Sequence, residues 1–195
     1  MNENYKKIFW GLLLLIINVN LTFNEFNFSI IPSFISFIII YSGLKGLSEE
    51  VAGDSKYFYR GAILSKVMIA VTLVRWLLDA FTSIDSSYII GNSNIEVIVI
   101  SFIIEAARLV IVYCVLKGIY LEYEKIYLIG FMKKVENVWN FYFIVSLITY
   151  AIQPFTINGS ALVIMSIMAI IYSISYFIVA FEVKEAGKQF EKINL

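Results

Sequence analysis

Two short charged stretches stand inside otherwise apolar runs, Arg75-Trp-Leu-Leu-Asp79 and Glu105-Ala-Ala-Arg108. Spacings of four and three put each pair on one face of a helix. A charge at the centre of a membrane helix costs about 2.5 to 3.5 kcal/mol, so these side chains must pair, reach water or hold a ligand. Their chemistry is anion binding by a guanidinium and proton exchange at a carboxylate. If the two helices are antiparallel neighbours, the order from outside inward is Asp79, Arg75, Glu105, Arg108, a ladder of alternating sign in which Arg75 reaches Glu105. Supporting polar residues share these faces: Thr72 on the first helix, Ser101 on the second, and Ser146, Thr149 and Gln153 in one stripe with Tyr142 on a later one.

The elements that position them are membrane helices. Of 195 residues 60% are apolar, 16% aromatic and only 15% charged, and the mean hydropathy is +0.82, outside the usual range for globular chains. Each span needs about 20 largely apolar residues, so the expected fold is all-α: a polytopic, six-transmembrane-helix bundle forming one integral membrane domain over 1–195. The absence of histidine and the single cysteine, Cys114, exclude disulfides within the chain, His- or Cys-based metal sites and His-dependent nucleophilic catalysis. No cofactor is implied. Net charge is zero and no basic stripe points to nucleic acid.

The spans are expected at about 8–22, 28–47, 58–81, 95–120, 138–154 and 161–182. Ile31-Pro32 opens the second, where a proline lacks no helical bond, and Ser29, Ser33, Ser36 and Gly43 give it a small-residue stripe for close approach. In the third, Ser65, Thr72, Arg75, Asp79 and Ser83 share a stripe, while Lys66 snorkels from another face. Tyr123, Tyr127 and Phe131 among charges predict an interfacial segment at 121–137. The tail, 183–195, alternates lysine and glutamate and reads as a solvated cytoplasmic helix. Ser166, Ala169, Ser173 and Tyr176 share one face of the sixth span.

Twelve of the cations, from Lys6 and Lys7 to Lys188 and Lys192, fall at the two termini or in the second and fourth connections, and the other connections hold no lysine or arginine. By the positive-inside rule both termini are cytoplasmic. Ser36-Phe-Ile-Ile-Ile-Tyr-Ser-Gly-Leu-Lys-Gly46 aligns with Arg108-Leu-Val-Ile-Val-Tyr-Cys-Val-Leu-Lys-Gly118, and Ser175 to Lys184 more loosely, an echo that admits three helical hairpins.

Trp10-Gly11 before an apolar run, Asn18 at its end, Ile31-Pro32 and Gly43-Leu44-Lys45-Gly46-Leu47 resemble the N-terminal hairpin of small multi-pass membrane proteins of low-GC Gram-positive bacteria. The chain departs from that pattern at Ser33 and Ser36, where an acid and a glycine are expected. The resemblance covers about a quarter of the chain and implies a bacterial cytoplasmic-membrane location, with no activity attached. Six spans also resemble the substrate-binding subunits of modular vitamin importers, but Gly11-Leu-Leu-Leu-Leu15 lacks the small residues spaced by four that dock their partner.

Three functions remain open. A self-neutralising clasp would fix how two helices register, in a structural or regulatory subunit working with another membrane protein or a second copy of the chain. A solvated cavity would make Arg75 or Arg108 an anion ligand and Glu105 a proton carrier, as in a small-solute or ion transporter. An intramembrane enzyme is disfavoured: Asp79 is the one aspartate at depth, and Glu49-Glu50 reads as a solvated turn. Asp85 and Glu96 make the outer mouth acidic. Cys114 reads as packing, and Trp10, Trp76 and Trp139 as packing or interface anchors.

Overall fold

Among the described residues, long apolar runs with few breakers fold into six helices: α1 (Asn2–Ile16), α2 (Ser33–Glu50), α3 (Lys56–Thr82), α4 (Ile95–Lys125), α5 (Ile129–Ile152) and α6 (Leu162–Ile193). The computed structural model describes residues 2–17, 20–23, 26–29, 32–51, 56–82, 95–152 and 162–193, with the backbone alone at 20–23, 26–29, 78–82, 95–101, 162 and 165. Among the described residues, Lys56–Leu77, Ile129–Ile152 and Ser166–Ile193 are long and apolar enough to cross a membrane. Their outward faces carry large exposed apolar side chains such as Val67, Val74, Ile144, Ile170 and Phe181, the pattern of a protein solvated by lipid.

Each helix packs on its neighbour in the chain, α6 returns to α1, and α4 also touches α6. The result is a closed ring of antiparallel helices. Small residues set the tightest seam, between α1 and α2: a Cβ on Gly43 would lie 2.7 Å from the Asn4 carbonyl oxygen and 2.6 Å from Ile8, so only glycine admits this approach. Ser36, from the same stripe, is fully buried.

The structure moves several boundaries. The first helix ends at Ile16 rather than near 22, and β1 (Asn20–Phe23) pairs antiparallel with β2 (Phe26–Ser29) before α2 begins at Ser33. Leu21-Thr-Phe23 and Phe26-Asn-Phe28 alternate polar with large apolar or aromatic residues, which suits a two-residue hairpin better than a helix. Pro32, with φ −60° and ψ 137°, is the N-cap of α2.

No separate interfacial helix occupies 121–137: α4 runs to Lys125 and α5 starts at Ile129. The reversal is a C-cap in which the Leu128 N–H bonds the Tyr123 carbonyl at 3.0 Å and the Tyr127 N–H bonds that of Glu124 at 3.1 Å. These are the paired bonds of a Schellman motif. Its left-handed position is held by Tyr127, φ 55°, where glycine is the usual occupant.

The tail is also not a solvated extension. α6 continues through it to Ile193, and Val183, Ala186 and Phe190 are buried. The Phe190 ring is sandwiched between Tyr5 of α1 and Tyr123 of α4, at centroid distances of 5.7 Å and 4.8 Å, and Tyr123 meets Phe131 of α5 at 5.2 Å. Tyr5 also meets Phe58 of α3 edge-on at 6.5 Å. Spacing of i, i+3 and i+7 gives the tail one apolar face that outweighs its lysines and glutamates. The termini and the second and fourth connections therefore share one end of the bundle. Burial keeps the Tyr5 and Tyr123 phenols neutral by pushing both pKa values up.

Two measurements of thermal unfolding in detergent check these features. Tyr127→Gly should stabilise the protein by about 1 kcal/mol by relieving the left-handed position. Phe190→Ala should cost about 3 to 5 kcal/mol, the usual loss for a buried phenylalanine, whereas a solvated tail would tolerate it.

Candidate functional site

Glu105 and Arg108, one turn apart on α4, form an ion pair through Oε1 and Nη1. Their side chains are 25% and 18% exposed. Measured from Gly118, which packs on Phe58 near the start of α3, Arg108 lies about 15 Å along α4 at roughly 1.5 Å per residue. That is half of the roughly 30 Å hydrocarbon thickness.

Tyrosines from α5 and α6 surround the pair. The Tyr172 hydroxyl donates to Oε2 of Glu105 at 3.4 Å, and the Tyr150 hydroxyl donates to the Glu105 backbone carbonyl at 3.4 Å. Tyr142 extends the chain, its hydroxyl oxygen 3.4 Å from that of Tyr172. These are long contacts for hydroxyl donors. The rings pack as a group: Tyr142 is 6.0 Å from Tyr172 and 5.6 Å from Tyr176, edge-on to the latter.

Beside them is a cavity of about 130 Å³ walled by Leu15 and Ile16 of α1, Arg108 of α4, and Tyr172, Ser173 and Tyr176 of α6. The Nε of Arg108 is buried and has no hydrogen-bond partner. A buried N–H in that condition costs about 1 to 3 kcal/mol. The guanidinium thus spends Nη1 on Glu105 and keeps a free donor at the edge of an open space.

The ladder read from the sequence is only partly assembled. Arg75 is exposed on α3, beside Val74 and Leu77, which are 55% and 40% exposed. The ion pair made by Glu105 is the intrahelical one with Arg108, not a bridge from Arg75. For Glu105 a partner one turn away on the same helix is always in range, whereas a bridge from Arg75 would have to cross between helices. The side chains of Asp79 and Ser101, and all of Gln153, lie outside the described residues.

The supporting hydroxyls are turned onto their own helices. Thr72 donates to the Met68 carbonyl at 2.6 Å, Ser146 to Tyr142 at 2.8 Å and Thr149 to Val145 at 2.8 Å. Each is buried and satisfied by back-bonding, so their polar stripes mark buried faces without building the site. The site residues that the charged stretches do not name are Tyr150 and Tyr172, with Leu15 and Ile16 as an apolar wall. Tyr142 and Tyr176 were visible on polar faces; Tyr172 follows from Tyr176 at a spacing of four. Among the described residues no group of three His, Cys, Asp or Glu side chains could hold a metal ion.

Trp76 packs edge-on against Phe34 at 5.8 Å and Trp10 is 57% exposed, while Cys114 is buried. Glu49 takes a 3.8 Å contact from Lys45 at the exposed end of α2.

Removing one charge should hurt more than removing both. Arg108→Gln leaves the Glu105 carboxylate half-buried without its counter-ion and should cost about 2 to 4 kcal/mol, of which the Glu105→Gln/Arg108→Gln double variant recovers most; thermal unfolding of the three proteins is the check. Comparison of the chain with protein-family models, with curated proteins and with solved structures finds no match.

Proposed function

We propose that this is a multi-pass protein of the bacterial cytoplasmic membrane, with both termini inside, that carries a small anionic solute. The anion would bind in the cavity beside Arg108, and Glu105 would exchange the accompanying proton. One observation carries this reading: Arg108, whose buried guanidinium Nε has no hydrogen-bond partner, lines an open cavity. A guanidinium offers five donors in a planar fork, and the edge left over by Glu105 is the one that takes an oxyanion in two parallel bonds. The space accommodates about four waters at roughly 30 Å³ each, or one small carboxylate or phosphate.

The register-clasp reading is weaker for Glu105 and Arg108, because these two charges pair within one helix. An intrahelical pair cannot set the alignment of α4 against α3, yet it bears the full cost of desolvation. Its value must come from somewhere else, and ionisable residues at this depth commonly belong to solute and proton paths. A guanidinium and a carboxylate beside a small cavity make binding and proton exchange the chemistry assigned.

The test is binding and flux with acetate, lactate and inorganic phosphate as probes. At least one should raise the melting temperature of the wild type by several degrees and fail to do so for Arg108→Lys, which keeps charge but loses the fork. In liposomes enclosing a pH dye, that anion should drive proton uptake in the wild type and not in Glu105→Gln. Folded variants indistinguishable from wild type, together with a co-purifying membrane protein, would instead favour the structural or regulatory subunit.

A further inference from the structure

On the face of α4 opposite Arg108 a second cavity, of about 280 Å³, opens between Tyr113, Lys117 and Tyr120 of α4 and Glu136, Trp139 and Asn140 of α5. Nine residues separate Lys117 from Arg108, half a helical turn out of phase, so this cavity looks outward where the other looks inward. We propose that it seats the headgroup of an amine-bearing phospholipid, with Lys117 holding the phosphate and Glu136 the ammonium.

Its level in the membrane supports a headgroup. Lys117 adjoins Gly118, which packs on Phe58 in the first turn of α3. Tyr57, in that same turn, meets Tyr113 edge-on at 6.1 Å, Tyr113 meets Trp139 at 5.0 Å, and Trp139 stacks on Phe143 at 5.4 Å. This row of aromatic rings crosses α3, α4 and α5 beside Lys56 and Arg60, both within 6.0 Å of the Tyr57 centroid. Aromatic and basic residues gather in this way where helices leave the hydrocarbon.

The charges match a zwitterion. Lys117 rests on the Tyr120 ring, 4.1 Å from its centroid, with its ammonium at the cavity wall. Glu136 supplies a carboxylate on the opposite wall, Asn140 an amide, and Trp139 and Tyr113 supply ring faces that attract an ammonium. An anionic headgroup would satisfy Lys117 and be repelled by Glu136; a headgroup carrying both signs satisfies both.

The faces leading away from the cavity match acyl chains. On α4 the exposed residues on the Lys117 face toward mid-membrane are Val110 and Ile103, 46% and 59% exposed. On α5 those above Asn140 are Ile144 and Leu147, 55% and 49% exposed. Two apolar tracks therefore descend from one polar cavity, the layout of a phospholipid rather than of a soluble solute. The volume, equivalent to about nine waters, suits a phosphate, an ammonium and their two-carbon link.

The test is native mass spectrometry of the full chain released from nanodiscs holding equal phosphatidylethanolamine and phosphatidylglycerol. The wild type should retain phosphatidylethanolamine over phosphatidylglycerol by about fivefold, one charge-assisted contact's worth. Lys117→Gln should lower retention of both lipids, and Glu136→Gln should abolish the preference while leaving phosphatidylglycerol bound. Both side chains lie at the surface, so unchanged melting curves are expected and separate lost binding from lost folding. Equal retention by the wild type, or an undiminished preference in Glu136→Gln, overturns the proposal. Soluble phosphoethanolamine should not displace the lipid at millimolar concentration; if it does, the cavity belongs to a soluble metabolite and the lipid assignment fails.

Discussion

Six antiparallel helices in chain order close into a ring only if the last packs on the first, and α6 meets α1 at several points along its length. At the end where the termini lie, Phe190 is held between Tyr5 and Tyr123, and a Cβ on Gly187 would come within 2.7 Å of the Cβ of Tyr5. At the other end of α1, Leu15 and Ile16 line a cavity with Arg108, Tyr172 and Tyr176. The first contact makes the second possible, because α1 has only 15 residues and must be fixed at its start for its last turn to meet the polar patch. The candidate solute cavity is thus a product of ring closure: the apolar wall comes from the first helix and the polar wall from the fourth and sixth.

That geometry gives the charge pair its character. Lipid does not drive apolar helices together, so packing and hydrogen bonds must do so. The contacts of Glu105 are divided accordingly: Arg108 neutralises it within α4, and the longer Tyr172 and Tyr150 hydroxyl bonds tie it to α6 and α5. An ion pair complete within one helix leaves its neighbours free to shift by small amounts without stranding a charge. A bridge from α3 would have forbidden this. A second buried carboxylate, Glu182, is treated differently. It is 3% exposed, bonded to Lys134 of α5 at 2.7 Å, with its Oε1 unpartnered, and it locks α5 to α6 close to the end where the aromatic stack already holds α6.

The sequence made the helical class and three helices long and apolar enough to cross a membrane legible, since both follow from composition and run length. It misled at the tail and between α1 and α2. The lysine–glutamate alternation of 183–195 suggested solvent, but three apolar positions at helical spacing were enough to dock it. The first span was carried to about 22 and the second begun at about 28, when the alternation of Leu21 to Phe23 and Phe26 to Phe28 is that of a hairpin. The pairing within the ladder was hidden for a different reason: spacing says which residues share a face, but not that Glu105 takes its partner from its own helix rather than from α3. The tyrosines of α5 and α6 were hidden because aromatic residues are common in every span, and only the ring topology brings Tyr142, Tyr150, Tyr172 and Tyr176 to one place.

The same difficulty explains why α4 yields its meaning last. In a soluble protein an apolar stripe marks the inward face of a helix, but α4 carries apolar residues on its buried and its exposed faces alike. Ile111, Val112 and Val115 are buried while Ile103 and Val110 are exposed, and nothing in their chemistry distinguishes them. Only the rare polar residues give the helix its orientation: Glu105 and Arg108 face the tyrosines, and Lys117, half a turn out of phase, faces the aromatic row at the interface. In such a helix each polar residue bears a desolvation cost that apolar packing does not repay, so its position is the strongest indication of where a ligand or a headgroup belongs.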